Sequence, residues 1–169
     1  MAQLVAERLT GIPVSTVTNA AMRWGSDTEA LARAAYQFHT DQAVDEVGFV
    51  GHPKIAMSGA SPDGLIGQEG LLEIKCPTTI THIETLAAGQ APGKCLPQVY
   101  WQMACTGRRW CDFVSFDPRL PEDLKLFIVR IERDEAAIAD YEAMVEDFLG
   151  EVDARLMALP RWMHVEAAA

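Results

Sequence analysis

The stretch Leu71 to Cys76, LLEIKC, constrains this chain more than any other. It is a short apolar run that Pro77 ends, because proline has no N–H to give to a ladder. It reads as a strand paired with Gly64 to Ile66 across Gly67-Gln68-Glu69-Gly70. Yet it carries a glutamate and a lysine. Side chains alternate along a strand, so Glu73 and Lys75 share one face, while Leu72, Ile74 and Cys76 point the other way, into the core. Asp63, in the Pro62-Asp63-Gly64 turn, opens the partner strand, and the hairpin brings its carboxylate beside that of Glu73.

Two neighbouring carboxylates repel and raise each other's pKa unless a cation lies between them. A divalent metal is the natural cation, and oxygen donors with retained waters suit Mg²⁺ or Mn²⁺. Asp63 and Glu73 are the candidate ligands, with the backbone carbonyl of Ile74 as a further one. Lys75 would orient and deprotonate a nucleophile or stabilise charge on a phosphate. Phosphodiester hydrolysis needs this set of groups. Taken alone, D-x9-E-x-K is also compatible with a solvent-facing ion pair on a strand. The Pro-Asp-Gly turn and the apolar strand favour the catalytic reading.

The remaining chain alternates in period. Ala2 to Leu9 reads as a short helix closed by Gly11. Ser26-Asp27-Thr28-Glu29 looks like a capping box opening a helix to about His39, with Ala30, Leu31, Ala34 and Phe38 as its apolar positions. Glu46 to Val50 and Lys54 to Ser58 read as strands. Helices are expected over Thr81 to Ala88 and Pro97 to Thr106, the second with Pro97 in its first turn and Gly107 at its end. Trp110 to Phe116 and Leu126 to Ile131 are strands, and Asp134 to about Leu159 is a long amphipathic helix with Ile138, Tyr141, Val145, Phe148, Val152 and Leu156 as its stripe. The order predicts a mixed α/β (α+β) fold with a central mixed sheet flanked by helices.

At 169 residues the chain is expected to form one domain. No apolar run reaches membrane-span length and Met1 to Leu9 has no signal core, so a cytoplasmic location is expected. The cysteines Cys76, Cys95, Cys105 and Cys111 lack metal-ligand spacing and read as reduced, mostly buried thiols. A net charge of −10 argues against a general nucleic-acid coat but leaves room for a nuclease, which needs acidic residues to hold metal.

The run SPDGLIGQEGLLEIKCP, Ser61 to Pro77, closely resembles the nuclease motif of the phage lambda exonuclease, or YqaJ-type viral recombinase, family, within the PD-(D/E)-x-K nucleases. MRWGSDTEALAR (Met22 to Arg33) resembles that family's W-G-x-x-x-E helix. LPQVYWQMACTGRRWCDFVSFDPR (Leu96 to Arg119) resembles its glutamine-bearing helix and following strand, and VRIERDE (Val129 to Glu135) the segment before its last helix. The resemblance implies a restriction-endonuclease-like core and a Mg²⁺-dependent exonuclease. Such an enzyme digests one strand of duplex DNA from its 5′ end in phage-type recombination and leaves a 3′ overhang for a single-strand annealing protein. It also implies a ring of three subunits and a phage or prophage gene expressed in a bacterial host. By position it makes Asp63 and Glu73 metal ligands assisted by the Ile74 carbonyl, Lys75 the catalytic lysine, Glu29 a second-metal or water contact, Gln98 the active-site glutamine and Ser61 a phosphate contact. The resemblance also implies an N-terminal W-x-x-x-R type segment with an arginine for the terminal 5′ phosphate; Met1 to Arg23 show no matching pattern, so a chain lacking that segment is expected.

Two of these residues have structural alternatives. Glu29 sits at the capping-box place and Gln98 is a polar first-turn residue. Gln98 and Gln102 lie one turn apart and share a face, which suits a cleft. Lys94, Arg108 and Arg109 are candidate DNA contacts, although the arginines could equally complement a helix C-terminus. Trp24, Trp101 and Trp110 read as core, and Trp162 is a further aromatic face. Two other readings stand beside the exonuclease: another endonuclease or RecB-type nuclease of the same superfamily, and a protein that binds DNA or a recombination partner without cutting.

Overall fold

The computed structural model describes residues 1–14 and 20–159; Trp162 lies outside them. The chain divides into two compact units, one of Met1–Val17 with Ala143–Ala169 and one of Thr18–Glu142. In the first, helix α1 (Ala2–Thr10) ends at Gly11, whose left-handed backbone lets its N–H reach the Glu7 carbonyl. Arg8 pairs there with Asp153.

The second unit is built on a five-stranded sheet in the order β1-β4-β5-β6-β7. Its strands are β1 (Val44–Asp45), β4 (Gly64–Ile66), β5 (Gly70–Lys75), β6 (Trp110–Phe116) and β7 (Leu126–Glu132). Only β5 and β6 run parallel, so the sheet is mixed, as expected. Joining them takes a long crossover, which carries α3 (Thr79–Ala88) and α4 (Leu96–Thr106). Thr78 caps α3 by accepting the Thr81 N–H, and Gly107 ends α4 in the left-handed region. Gly70 is required where β5 meets β6, since a Cβ there would lie 2.2 Å from the Trp110 ring.

Both faces of the sheet are covered. On one, Ala32 and Tyr36 of α2 (Ala20–Thr40) pack with Ile66, Leu72, Ile74, Val114 and Phe116. On the other, Val99, Met103 and Ala104 of α4 pack with Leu71, Cys111 and Ile138, the last on α5 (Glu135–Met157). The Glu73 face is therefore not a solvent face. Tyr36 donates its hydroxyl to Asp112 at 2.7 Å, and Arg130 forks onto the same carboxylate at 2.8 and 2.9 Å while lying over the Trp110 ring. This network ties α2 to β6 and β7.

Four local expectations are corrected. Helix α2 begins well before Ser26, so the capping box lies inside it. Among its described side chains the buried ones are Thr28, Ala32 and Tyr36, whereas Ala30, Leu31, Ala34 and Phe38 are exposed. The same spacing, shifted around the helix, would have fitted either stripe. Of the strand expected over Glu46 to Val50 only Val50 is in a strand, and Lys54 to Ser58 is not a strand. The latter forms a tight reversal with Met57 at φ 60, joining two short strands, β2 (Val50–Gly51) and β3 (Gly59–Ala60). His52 fixes the reversal by accepting the N–H groups of Lys54 and Ile55 on Nδ1. The four cysteines are free, and Cys95, Cys105 and Cys111 are buried.

Candidate active site

Strand β4 pairs with β5 only from Gly70 to Leu72. Beyond that point the chain entering β4 turns away at Asp63, and among the described residues the β4-facing edge of β5 has no strand partner at Ile74, while β6 holds the other edge. Asp63 fills the gap: its Oδ2 accepts the Ile74 N–H at 2.6 Å. A strand residue's N–H and C=O leave by the same edge, so the Ile74 carbonyl faces the Asp63 side as well. The turn thus delivers one carboxylate to an unpaired strand edge.

Glu73 lies on the α4 side of β5 and is fully buried. One of its oxygens takes the Lys75 ammonium, and the other accepts Gln102 Nε2 at 2.6 Å. Lys75 also donates to Gln98 Oε1 at 3.0 Å. The two glutamines lie one turn apart on α4, one on each member of the ion pair. Burial, then the charge of Glu73, then that of Glu29 push the Asp63 carboxyl up to about 7, against the Ile74 N–H and the Lys75 charge, which lower it. Burial works to lower the Lys75 pKa, but the charge and hydrogen bond of Glu73 and the charge of Asp63 outweigh it and hold the ammonium above its ordinary range. Lys75 is thus a cation suited to face developing negative charge.

These residues line a cleft of about 730 Å³. Glu29, Asp63, Glu73, Ile74, Lys75, Lys94 and Gln98 all reach it, together with Thr81, Thr85 and Ser115. Glu29 is held by Arg33, one turn on, at 2.6 Å. A mid-helix residue with this partner is not a helix cap, so that alternative falls. Ser61 is exposed beside the Pro62-Asp63 turn but is not part of the lining. Arg108 and Arg109 are elsewhere. Arg108 donates to the Gly67 carbonyl at 2.6 Å and Arg109 pairs with Glu69 at 2.9 Å. Both lie at the Gly70 end of β5, about 10 Å or more from Glu73 at 3.3 Å per residue, and neither lines the cleft.

The sequence pattern gave neither Gln102 nor His82 a role of its own. The Nε2 of His82 lies 2.9 Å from the Leu124 carbonyl and must donate there, which in the neutral ring leaves Nδ1 to accept the Ser115 hydroxyl at 2.7 Å. The signal for both was a polar residue on the inward side of a helix.

The donor set suits a hard divalent cation. Once Asp63 is ionised, three carboxylates face two ammonium groups in the cleft, an excess of negative charge that a bound cation would offset for an incoming phosphate. Among the described residues no three His, Cys, Asp or Glu side chains gather as a metal-binding group. A site here would rest on Asp63 and Glu73 with the Ile74 carbonyl and water, the sparse ligation Mg²⁺ commonly accepts.

The profile of the YqaJ-like viral recombinase domain matches residues 2–109. The chain belongs to that family. It is similar to an alkaline exonuclease from Laribacter hongkongensis, LHK-Exo, at 52% identity and TM-score 0.87, covering 92% of this chain and 79% of that one. The same enzyme in complex with dAMP matches at 52% identity and TM-score 0.88, with the same coverage. A phage-related exonuclease from Haemophilus somnus 129PT shares the fold at 14% identity and TM-score 0.68, over 92% of this chain and 80% of that one. No curated protein matches. The YqaJ-family core is thus of the restriction-endonuclease-like type, as the motif resemblance implied. No helix among the described residues is long and apolar enough to cross a membrane.

Proposed function

We propose that this YqaJ-family chain is a Mg²⁺-dependent deoxyribonuclease that degrades linear duplex DNA from its ends, 5′ to 3′. The observation that carries this reading is the convergence of Asp63, Glu73 and Lys75 on one cleft, with a lysine kept cationic beside a buried carboxylate. Kinship with an enzyme crystallised with dAMP supports a nucleotide-releasing activity.

In this reading Asp63, Glu73 and the Ile74 carbonyl hold the metal, Mg²⁺ or Mn²⁺. When bound it supplies Lewis-acid charge to the scissile phosphate and lowers the pKa of water. Lys75 faces the charge that builds on the phosphate, and Gln98 fixes its ammonium. Glu29 adds a carboxylate at the cleft wall for a second ion or a water. Lys94, exposed at the cleft, draws in the DNA backbone, and Ser61 borders its path. The strand left behind is a 3′ overhang for an annealing protein, and three subunits assemble around the duplex. Light scattering gives the mass that tests the assembly.

The deciding assay compares linear and closed circular duplexes, 5′- and 3′-labelled, with Mg²⁺ or chelator. Mononucleotides released from the 5′ label on linear DNA only, and only with metal, are expected. Lys75→Ala should lower the rate about 10²–10³-fold, the scale of removing a preorganised charge stabiliser. Cutting of circular DNA would favour the endonuclease reading, and unchanged digestion by the variant would reject the assignment of Lys75.

A further inference from the structure

The geometry points to Gln102 as a positioning residue for Glu73, one that sets the orientation of this carboxylate toward a bound divalent ion. The inference rests on the proposal that Glu73 is a metal ligand. Gln102 is 1% exposed, and its Nε2 donates to Glu73 Oε2 at 2.6 Å. Glu73 is itself fully buried on a strand, so its backbone is fixed and only its side-chain torsions remain to be set. Lys75 restrains one oxygen and Gln102 the other. Two donors on two oxygens define the carboxylate plane, which one donor cannot do.

The chemistry of the contact also fixes the amide's direction. A carboxylate only accepts, so Gln102 must present its NH₂ to Glu73. An ammonium only donates, so Gln98 presents its oxygen to Lys75. Helix α4 therefore offers a donor to the anion and, one turn earlier, an acceptor to the cation. The two glutamines are not equivalent: Gln98 is exposed at the cleft, whereas Gln102 is sealed behind the carboxylate.

One further observation separates this role from ordinary packing. With its NH₂ turned to Glu73, the Gln102 Oε1 is buried without a hydrogen-bond partner. The unpaired amide oxygen opposes folding, while the N–H given to the buried Glu73 carboxylate favours it. The amide is thus held for its donor to Glu73, with its acceptor stranded. That is the pattern expected where a residue serves a ligand site and not the core.

The test is Mn²⁺ binding to the full chain without DNA, followed by titration calorimetry and by the paramagnetic resonance of free Mn²⁺, for wild type, Gln102→Leu and Gln102→Met. Loss of an outer partner that orients a metal ligand weakens affinity about 10–100-fold, and that loss is expected in both variants. Their melting temperatures in chelator should stay within a few degrees of wild type, since the lost donor and the removed unpaired acceptor offset each other. Wild-type affinity in both variants would overturn the inference while leaving the metal site standing. No Mn²⁺ binding by wild type would instead overturn the metal reading on which it rests. Unfolding of both variants would also overturn it, by making the amide a structural strut.

Discussion

Asp63→Asn should make the metal-free protein more stable above neutral pH while abolishing cleavage. The Asp63 carboxyl is raised from 3.8 to about 7, first by burial and then by the Glu73 charge. A raised carboxyl disfavours its own ionised form in the folded state. The destabilisation is absent below the unfolded value near pH 4, grows as pH climbs through the interval, and is complete above about pH 7. At 1.36 kcal/mol per decade of proton affinity, the interval bounds the penalty at about 4 kcal/mol. Asparagine is neutral at every pH and its oxygen can still accept the Ile74 N–H, so the substitution removes the charge term and keeps the contact. The expected gain is about 1–4 kcal/mol at pH 8 and close to zero at pH 4. Urea unfolding of both proteins in chelator at pH 4, 6 and 8 measures it. Added Mg²⁺ should stabilise wild type at pH 8 and leave the variant unmoved, because a ligand that binds only the folded state stabilises it by mass action. A variant no more stable than wild type at pH 8 in chelator would show that the Asp63 charge does not oppose folding.

Two further predictions concern the scaffold. Tyr36→Phe removes the hydroxyl donor to buried Asp112 and leaves the Arg130 fork in place, so a loss of about 1–2 kcal/mol is expected in thermal or urea unfolding. Arg108→Ala and Arg109→Ala should leave kcat and KM for linear DNA within about two-fold, because these arginines hold the β4–β5 turn and lie away from the cleft. A marked rise in KM or a smaller salt slope in DNA binding would return them to the interface.

Asp63, Glu73 and Lys75 were legible because a local rule placed them, whereas the roles of Glu29 and Gln98 came from the family resemblance alone. Period-two alternation put Glu73 and Lys75 on one face, and the Pro-Asp-Gly turn put Asp63 at the strand edge; the structure has both. Helices and the long strands followed from capping glycines, prolines and apolar period. Where two helical stripes had similar composition, the sequence could not choose. Ala30, Leu31, Ala34 and Phe38 repeat as plausibly as Thr28, Ala32 and Tyr36, and only packing on the sheet decided that the second set goes inside.

By itself, the sequence determined that a strand would carry an anion and a cation side by side behind an acidic turn. Only the tertiary structure decided that this face is roofed by α4, that Glu73 is buried and not solvated, and that Gln102 meets it from above. The reason is physical. Alternation is a property of one strand and survives in any fold. Which elements close over a strand, and so how strongly its charges are desolvated and what donors reach them, depends on contacts between residues far apart in the chain.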